Sequence, residues 1–144
     1  MSHKCSNLVL HCIDFRFMRG IREYLDACGF TGDSDIVSMA GAAKNLLESA
    51  DPSSAATARL QIKLSHDLHG ISRVILMNHL DCGAYGGRAA FASDEEEYSR
   101  HAEDLRSARA SIVSEYPSTE VRLIIAKIDA DGNVSFEEID DRTS

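Results

Sequence analysis

Arg73-Val74-Ile75-Leu76-Met77-Asn78-His79-Leu80-Asp81-Cys82-Gly83 constrains the architecture more than any other segment of this chain. Val74 to Met77 is an unbroken aliphatic run without the polar-apolar alternation of a half-exposed strand, so it reads as a strand buried on both faces. Such strands belong to parallel sheets covered by helices on each side. The run gives way to His79 and then to Cys82-Gly83, which puts two metal-competent side chains where the strand ends.

Toward the amino terminus, Asn7 to Ile13 is a shorter apolar run that leads into Cys12-Ile13-Asp14-Phe15-Arg16. Phe17 to Cys28 carries Met18, Ile21, Leu25 and Cys28 at helical spacing and is closed by Gly29. Asp35 to Met39 reads as a second strand, ending at Ala40-Gly41. Asp51-Pro52 is an N-cap followed by proline at the first helical position, and Ala55, Ala58, Ile62 and Leu68 continue that helix to Gly70. Beyond the central run, Ser93-Asp94-Glu95-Glu96-Glu97 opens a helix with a capping serine and acids in its first turn, running to about Tyr116-Pro117. Val121 to Ile128 is a fourth strand, and a turn at Asp131-Gly132 leads into Val134 to Ile139. Strand and helix alternate, so the expected fold is α/β: a single domain over residues 1–144, with a mainly parallel central β-sheet flanked by helices.

A chain of 144 residues supports one core and leaves no room for a second domain. Its net charge of -8 repels a phosphate backbone, and its basic residues are scattered among acids, so nucleic acid is not an expected partner. The first apolar run is too short, and too interrupted by His11, for a signal segment or a membrane span. A cytoplasmic protein without membrane association is expected. Four cysteines beside a full core read as ligands or buried thiols of a reducing compartment, with no disulfide.

In an open parallel sheet, ligands bind outside the carboxyl ends of the strands, near the point where strand order reverses. If the first and third strands are neighbours, Cys12, His79 and Cys82 converge there from two loops. Two thiolates and an imidazole are a donor set that zinc favours. Asp14 shares a side with Cys12 in extended backbone, and Arg16 is placed to hold its carboxylate through a bidentate pair.

Cys12-x-Asp14-x-Arg16 with His79-x-x-Cys82-Gly83 resembles the zinc site of the beta-class carbonic anhydrases, whose ligands are two cysteines and a histidine in this order. Ser38-Met39-Ala40-Gly41 is similar to that family's Ala-Gly loop beside the substrate, and Val74 to His79 to its apolar strand before the histidine. The resemblance spans roughly residues 7 to 140. It implies Zn2+ held by Cys12, His79 and Cys82, with water in the fourth position or, in a closed state, Asp14. Arg16 would pair with Asp14 and draw it off the metal, and Asp14 would orient the hydroxide. Ala40, Gly41 and Gly83 would face the substrate, with the Gly41 backbone N–H meeting a bicarbonate oxygen. The implied activity is a zinc lyase: a zinc-bound hydroxide attacks CO2 and bicarbonate leaves. Related readings are the same chemistry on carbonyl sulfide or carbon disulfide, and a non-catalytic zinc protein in which Asp14 stays on the metal.

Members of that family usually carry helices before the first motif that wrap a partner subunit, whereas eleven residues precede Cys12, so that partner-supplied wall is expected to be missing. The family and the apolar residues around Phe15, Phe17 and Met18 together imply a homodimer or higher homo-oligomer. Asn78 stands where the family commonly has glycine, and with the bulky Phe15 and Phe17 it is expected to reshape the pocket.

Other candidate residues carry less. Cys5 and Cys28 read as small core hydrophobes. His11 points away from Cys12 and reads as a satisfied core or surface histidine. His66 and His69, three apart on a helix, read as a solvated helix face, since no nearby acid or cysteine completes a ligand set and HExxH is absent. Asp129-Ala130-Asp131-Gly132-Asn133 with Glu138 is better explained by a hairpin than by a calcium loop, whose first position would fall on Lys127. The acids Asp94 to Glu97 read as a helix start, and Gly83-Ala84-Tyr85-Gly86-Gly87 lacks the lysine of a phosphate loop.

Overall fold

Five strands form one sheet: β1 (Asn7–His11), β2 (Ser34–Ser38), β3 (Arg73–His79), β4 (Glu120–Ile128) and β5 (Val134–Glu138), ordered β2-β1-β3-β4-β5. The first four are mutually parallel and β5 returns antiparallel to β4. The computed structural model describes residues 3–139, so both ends of the expected 1–144 domain lie outside the described residues. β1 and β3 are neighbours, with Leu10 level with Leu76 and His11 with Met77. The chain leaves β1 toward β2 and returns past it to β3, which makes the β1/β3 pair the point where strand order reverses.

Side-chain alternation divides the core in two. Leu8 and Leu10 of β1, Val74 and Leu76 of β3, and Leu123 and Ile125 of β4 pack with Ala58, Ile62, Leu105, Ala108 and Ile112. Those last residues come from α2 (Pro52–Leu64) and α3 (Asp94–Glu115). Val9, Ile75, Met77, Ile124 and Ala126 point the other way, against Phe17, Ile21, Leu25 and Phe30 from and around α1 (Met18–Ala27). β3 is buried at every position from Val74 to His79, as its unbroken apolar run requires. One helix thus covers one face of the sheet and two cover the other.

The helix boundaries follow local chemistry. Asp51 caps α2 by accepting the Ser54 N–H at 3.1 Å, and Pro52 fills the first turn. Ser93 caps α3 by accepting the Glu96 N–H at 3.1 Å. After α2 the chain widens into a π-turn, Ser65–His69, which Gly70 ends in the left-handed region with φ 63°. In α1, a Cβ on Gly20 would meet Val134 at 2.9 Å, so the missing side chain lets α1 lie against β5. At the β4–β5 turn, Asp129 accepts the N–H groups of Asp131 and Asn133, each at 2.9 Å, and these carboxylate bonds account for the acidic run there. No helix among the described residues is long and apolar enough to cross a membrane.

Candidate metal centre

β1 stops at His11, one residue short of Cys12, so the residues from Cys12 to Asp14 lie in the loop leaving the sheet rather than in the strand expected to reach Ile13. Asp14 caps a 3-10 turn, Phe15–Phe17. His79 closes β3, and Cys82 precedes a second 3-10 turn, Gly83–Tyr85. Because β1 and β3 are adjacent, both loops leave the same end of the sheet, and donor atoms of Cys12, His79 and Cys82 lie within 4.8 Å of one another, all three residues buried.

The donor atoms fit a metal ion. Cys12 Sγ and Cys82 Sγ are 3.9 Å apart, close to the roughly 3.8 Å that a tetrahedral zinc with Zn–S of about 2.3 Å sets between two thiolates. His79 Nδ1 lies 2.8 Å from the Leu80 carbonyl, which it meets as a donor. That bond leaves Nε2 as the bare ring nitrogen, and this buried atom has no hydrogen-bond partner among the described residues. Phe17 packs tilted on the imidazole, with ring centroids 4.4 Å apart, and fixes its plane. Without a metal the two thiols share one negative charge. Cys12 is pulled down to about 3, first by hydrogen bonding from Cys82 against the cost of burial, with help from His79 and the Gly41 backbone. Cys82 is pushed up by the Cys12 thiolate beside it. Burial opposes charge on His79, but that thiolate raises the imidazole above its ordinary value.

Beside the donors, Asp14 and Arg16 form a tight pair. The guanidinium donates from Nη2 to Asp14 Oδ2 at 2.7 Å and from Nε to both carboxylate oxygens, at 3.1 and 3.2 Å. Asp14 Oδ2 is also 3.6 Å from His79 Nε2, so the carboxylate borders the donor set while engaged with Arg16. Hydrogen bonding from Arg16 holds the Asp14 carboxyl below its usual range. Arg16 is itself gripped from behind: Nη1 donates to Asp81 Oδ2 at 3.2 Å and Nη2 to the Asp81 carbonyl at 3.1 Å. Asp81 adopts φ 58°, and three contacts maintain this strained backbone. They are the Arg16 bonds, the Arg88 N–H on its Oδ1 at 2.8 Å, and its own N–H donated to Glu97 Oε2 at 2.6 Å.

An open cleft of about 690 Å³ lies over these groups, with Cys12, Ile13, Asp14, Phe15, Arg16, Ala40, Gly83 and Ala84 among its walls. Ala40 and Gly83 are among its lining residues. Gly41 is buried in the left-handed region, φ 81°, where a Cβ would meet Ala84 at 3.1 Å, and hydrogen bonding from its backbone helps hold the Cys12 thiol down. Phe15 lines the cleft and is 84% exposed, whereas Phe17 is buried in the core behind His79. Asn78 does not enter the cleft. One residue before His79 in the strand, it faces the other side of the sheet, where its Oδ1 accepts the N–H of Ala43 in the 3-10 turn Ala42–Leu46 at 3.1 Å and its Nδ2 lies 3.0 Å from Nδ1 of His101 on α3 and 3.2 Å from Tyr85 Oη. Tyr85 in turn donates to Asp104 at 2.8 Å.

Several side chains differ from their sequence reading. Glu97, read as one acid of a helix start, is buried and bonded to the loop between His79 and Cys82. The spacing of the acidic run gives no hint of this, because the partner is a backbone amide 16 residues away. His66 and His69 are not a solvated face. His66 stacks on Tyr116 with ring centroids 4.0 Å apart and bonds Thr119 Oγ1 at 2.9 Å. His69 meets both an acid and a cysteine, Asp35 and Cys5, which only the folded sheet brings near it. His11 is buried, with Nδ1 2.8 Å from the Cys12 carbonyl. Cys5 and Cys28 are partly rather than fully buried, and all four cysteines are free.

The family model described as "Putative carbonic anhydrase" matches residues 2–136. Uncharacterized proteins of Rickettsia bellii and Rickettsia conorii are 29% and 27% identical to this chain over 130 residues, covering 88% of it and 79% and 70% of their own length. Carbonic anhydrase from Streptococcus mutans superposes with a TM-score of 0.57 at 17% identity, over 97% of this chain and 86% of that one. A tetrameric beta-carbonic anhydrase of Sordaria macrospora gives 0.55 at 13% identity, over 94% and 81%. A beta-carbonic anhydrase of Trichomonas vaginalis gives 0.52 at 16% identity, over 94% and 85%. Identities this low establish the shared fold, while the match across residues 2–136 establishes kinship, so the chain belongs to this carbonic anhydrase family and has the beta-class fold.

Proposed function

We propose that this chain is a zinc-dependent carbonate dehydratase that interconverts CO2 and bicarbonate. The observation that carries the reading is Asp14 clamped to Arg16 beside the bare Nε2 of His79 and the two thiols, which keeps the carboxylate next to the donor set without making it a ligand. Cys12, His79 and Cys82 are the zinc ligands in this reading, and Asp14 joins them only in a closed state that breaks its bonds to Arg16. Zinc bound there supplies the Lewis acidity that acidifies a coordinated water for attack on CO2. Asp14, held ionised by Arg16, would accept a hydrogen bond from a water beside the donor set and fix its direction. Arg16 holds the carboxylate on its own side, and Asp81 keeps Arg16 in place. The apolar wall of Ile13, Phe15, Ala40 and Ala84, with Gly83, admits a small linear molecule. Ala40, Gly41 and Gly83 are the substrate-side residues of this reading, and the Gly41 backbone also helps hold Cys12 ionised.

The same reading makes residues 1–144 one zinc domain of a cytoplasmic protein, the compartment that suits a chain whose cysteines serve as ligands or buried thiols. It makes the protein a homodimer or higher homo-oligomer, because Ile13 and Phe15 at the cleft and Ile36 on the outer strand β2 are 60%, 84% and 52% exposed. The tetrameric state of the Sordaria macrospora structure supports that assembly. Stopped-flow CO2 hydration tests the activity, using protein with zinc quantified per chain. Hydration that rises from about pH 6.5 to about pH 9 and is blocked by small anions is expected. Asp14→Ala should keep its zinc and lose roughly a hundredfold in kcat. Full zinc with no hydration at any pH would overturn the reading and turn attention to carbonyl sulfide, carbon disulfide or a purely binding role.

A further inference from the structure

A second group of donors lies at the end of the sheet opposite the cleft. Cys5 stands two residues before β1, Asp35 is the second residue of β2, and His69 ends the π-turn after α2. Their ligand atoms lie within 4.8 Å of one another, and all three residues are partly buried. The frame around them is built from hydrogen bonds. The Cys5 N–H donates to the His69 carbonyl at 3.1 Å, which joins the chain start to the turn. His69 Nδ1 lies 2.9 and 2.7 Å from the two oxygens of Asp35, and Ser65 Oγ donates to Asp35 Oδ2 at 2.6 Å. His3 brings a fourth donor-bearing ring, set edge-on to His69 with centroids 5.6 Å apart. None of these four residues touches the cleft.

We propose that Cys5, Asp35 and His69 form a second site for a divalent zinc-class cation. One thiolate, one carboxylate and one imidazole are a borderline donor set that suits zinc and its first-row neighbours better than calcium or magnesium. Thiolate and carboxylate together match the charge of a dication. Ser65, which already orients Asp35, is the outer-shell support such a carboxylate ligand needs. A metal here fastens Cys5, just before β1, to β2 and to the π-turn, and its binding energy adds to that of folding.

Metal counting on tag-free full-length protein, saturated with zinc and freed of excess, tests the proposal. Wild type should hold two zinc ions per chain. Cys5→Ser and His69→Gln should each hold one fewer than wild type, Cys12→Ser should retain the amino-terminal ion, and Cys5→Ser/Cys12→Ser should hold none. Cobalt added to Cys12→Ser should show a thiolate-to-metal charge-transfer band that Cys5→Ser/Cys12→Ser lacks, a readout independent of activity. The proposal is overturned if Cys5→Ser and His69→Gln leave the zinc count unchanged, or if Cys12→Ser holds no zinc. Failure of the cleft as a metal centre shows differently, as a Cys12→Ser count equal to that of wild type. If Cys5→Ser folds poorly, Asp35→Asn and His69→Gln decide the same question.

Discussion

His101 is fully buried on α3 and shows how far the chemistry behind the cleft reaches into the core. Its Nδ1 meets Asn78, its ring packs on Tyr85 with centroids 4.2 Å apart, and its Nε2 has no partner among the described residues. Burial first, and then the charge on nearby His79, push its pKa down to about 4. The unfolded chain, with an ordinary histidine near 6.5, therefore binds more protons between about pH 6.5 and about pH 4. The contribution of His101 to stability is complete above that window and is lost as pH falls through it, by up to roughly 3 kcal/mol. Urea unfolding of metal-free protein should show this slope, and His101→Gln should flatten it. A variant with the wild-type slope would mean that His101 is not held neutral by the fold. Asn78 illustrates what residue order conveys and what it hides. Alternation along β3 already puts it on the opposite face from His79, although nothing in the sequence names His101, Tyr85 or Ala43 as its neighbours.

Elements with strong local signals were readable: the buried run of β3, the Asp51-Pro52 start of α2, the Ser93 cap of α3 and the Asp-Gly turn into β5. The 3-10 turns at Phe15–Phe17, Ala42–Leu46, Gly83–Tyr85 and Arg88–Ala90 were not, because their conformation is set by what they touch rather than by periodicity. The first turn of α3 combines both kinds of feature. Its acids suit the helix dipole, as the sequence indicates, yet Glu97 is bent to a second task, satisfying the N–H of the strained Asp81. Glu97→Leu keeps the bulk and removes the acceptor, which leaves that amide unpaired. Chemical denaturation should show a loss of about 1–3 kcal/mol. An unchanged midpoint would show that α3 does not hold the His79–Cys82 loop.

The whole molecule gathers its donor set by topology: two loops 67 residues apart in sequence, from Cys12 to His79, meet because β1 and β3 are neighbours at the reversal of strand order. That convergence was legible from the two motifs, whereas the Arg16–Asp81 grip and the Cys5–Asp35–His69 group were not, since each joins residues whose proximity only the sheet creates. The exposed Phe15 and Ile36 belong to this scale too. Sedimentation at micromolar concentration should show a dimer or larger species, and Ile36→Asp should shift it toward monomer. A wild-type monomer would remove the proposed assembly. Zinc-edge X-ray absorption tests the convergence itself most directly, on Cys5→Ser protein carrying one zinc per chain. Two sulfur neighbours at about 2.3 Å, with one imidazole nitrogen and one further light atom at about 2.0 Å, are expected. A shell with one sulfur or none would contradict a metal centre built by Cys12, His79 and Cys82.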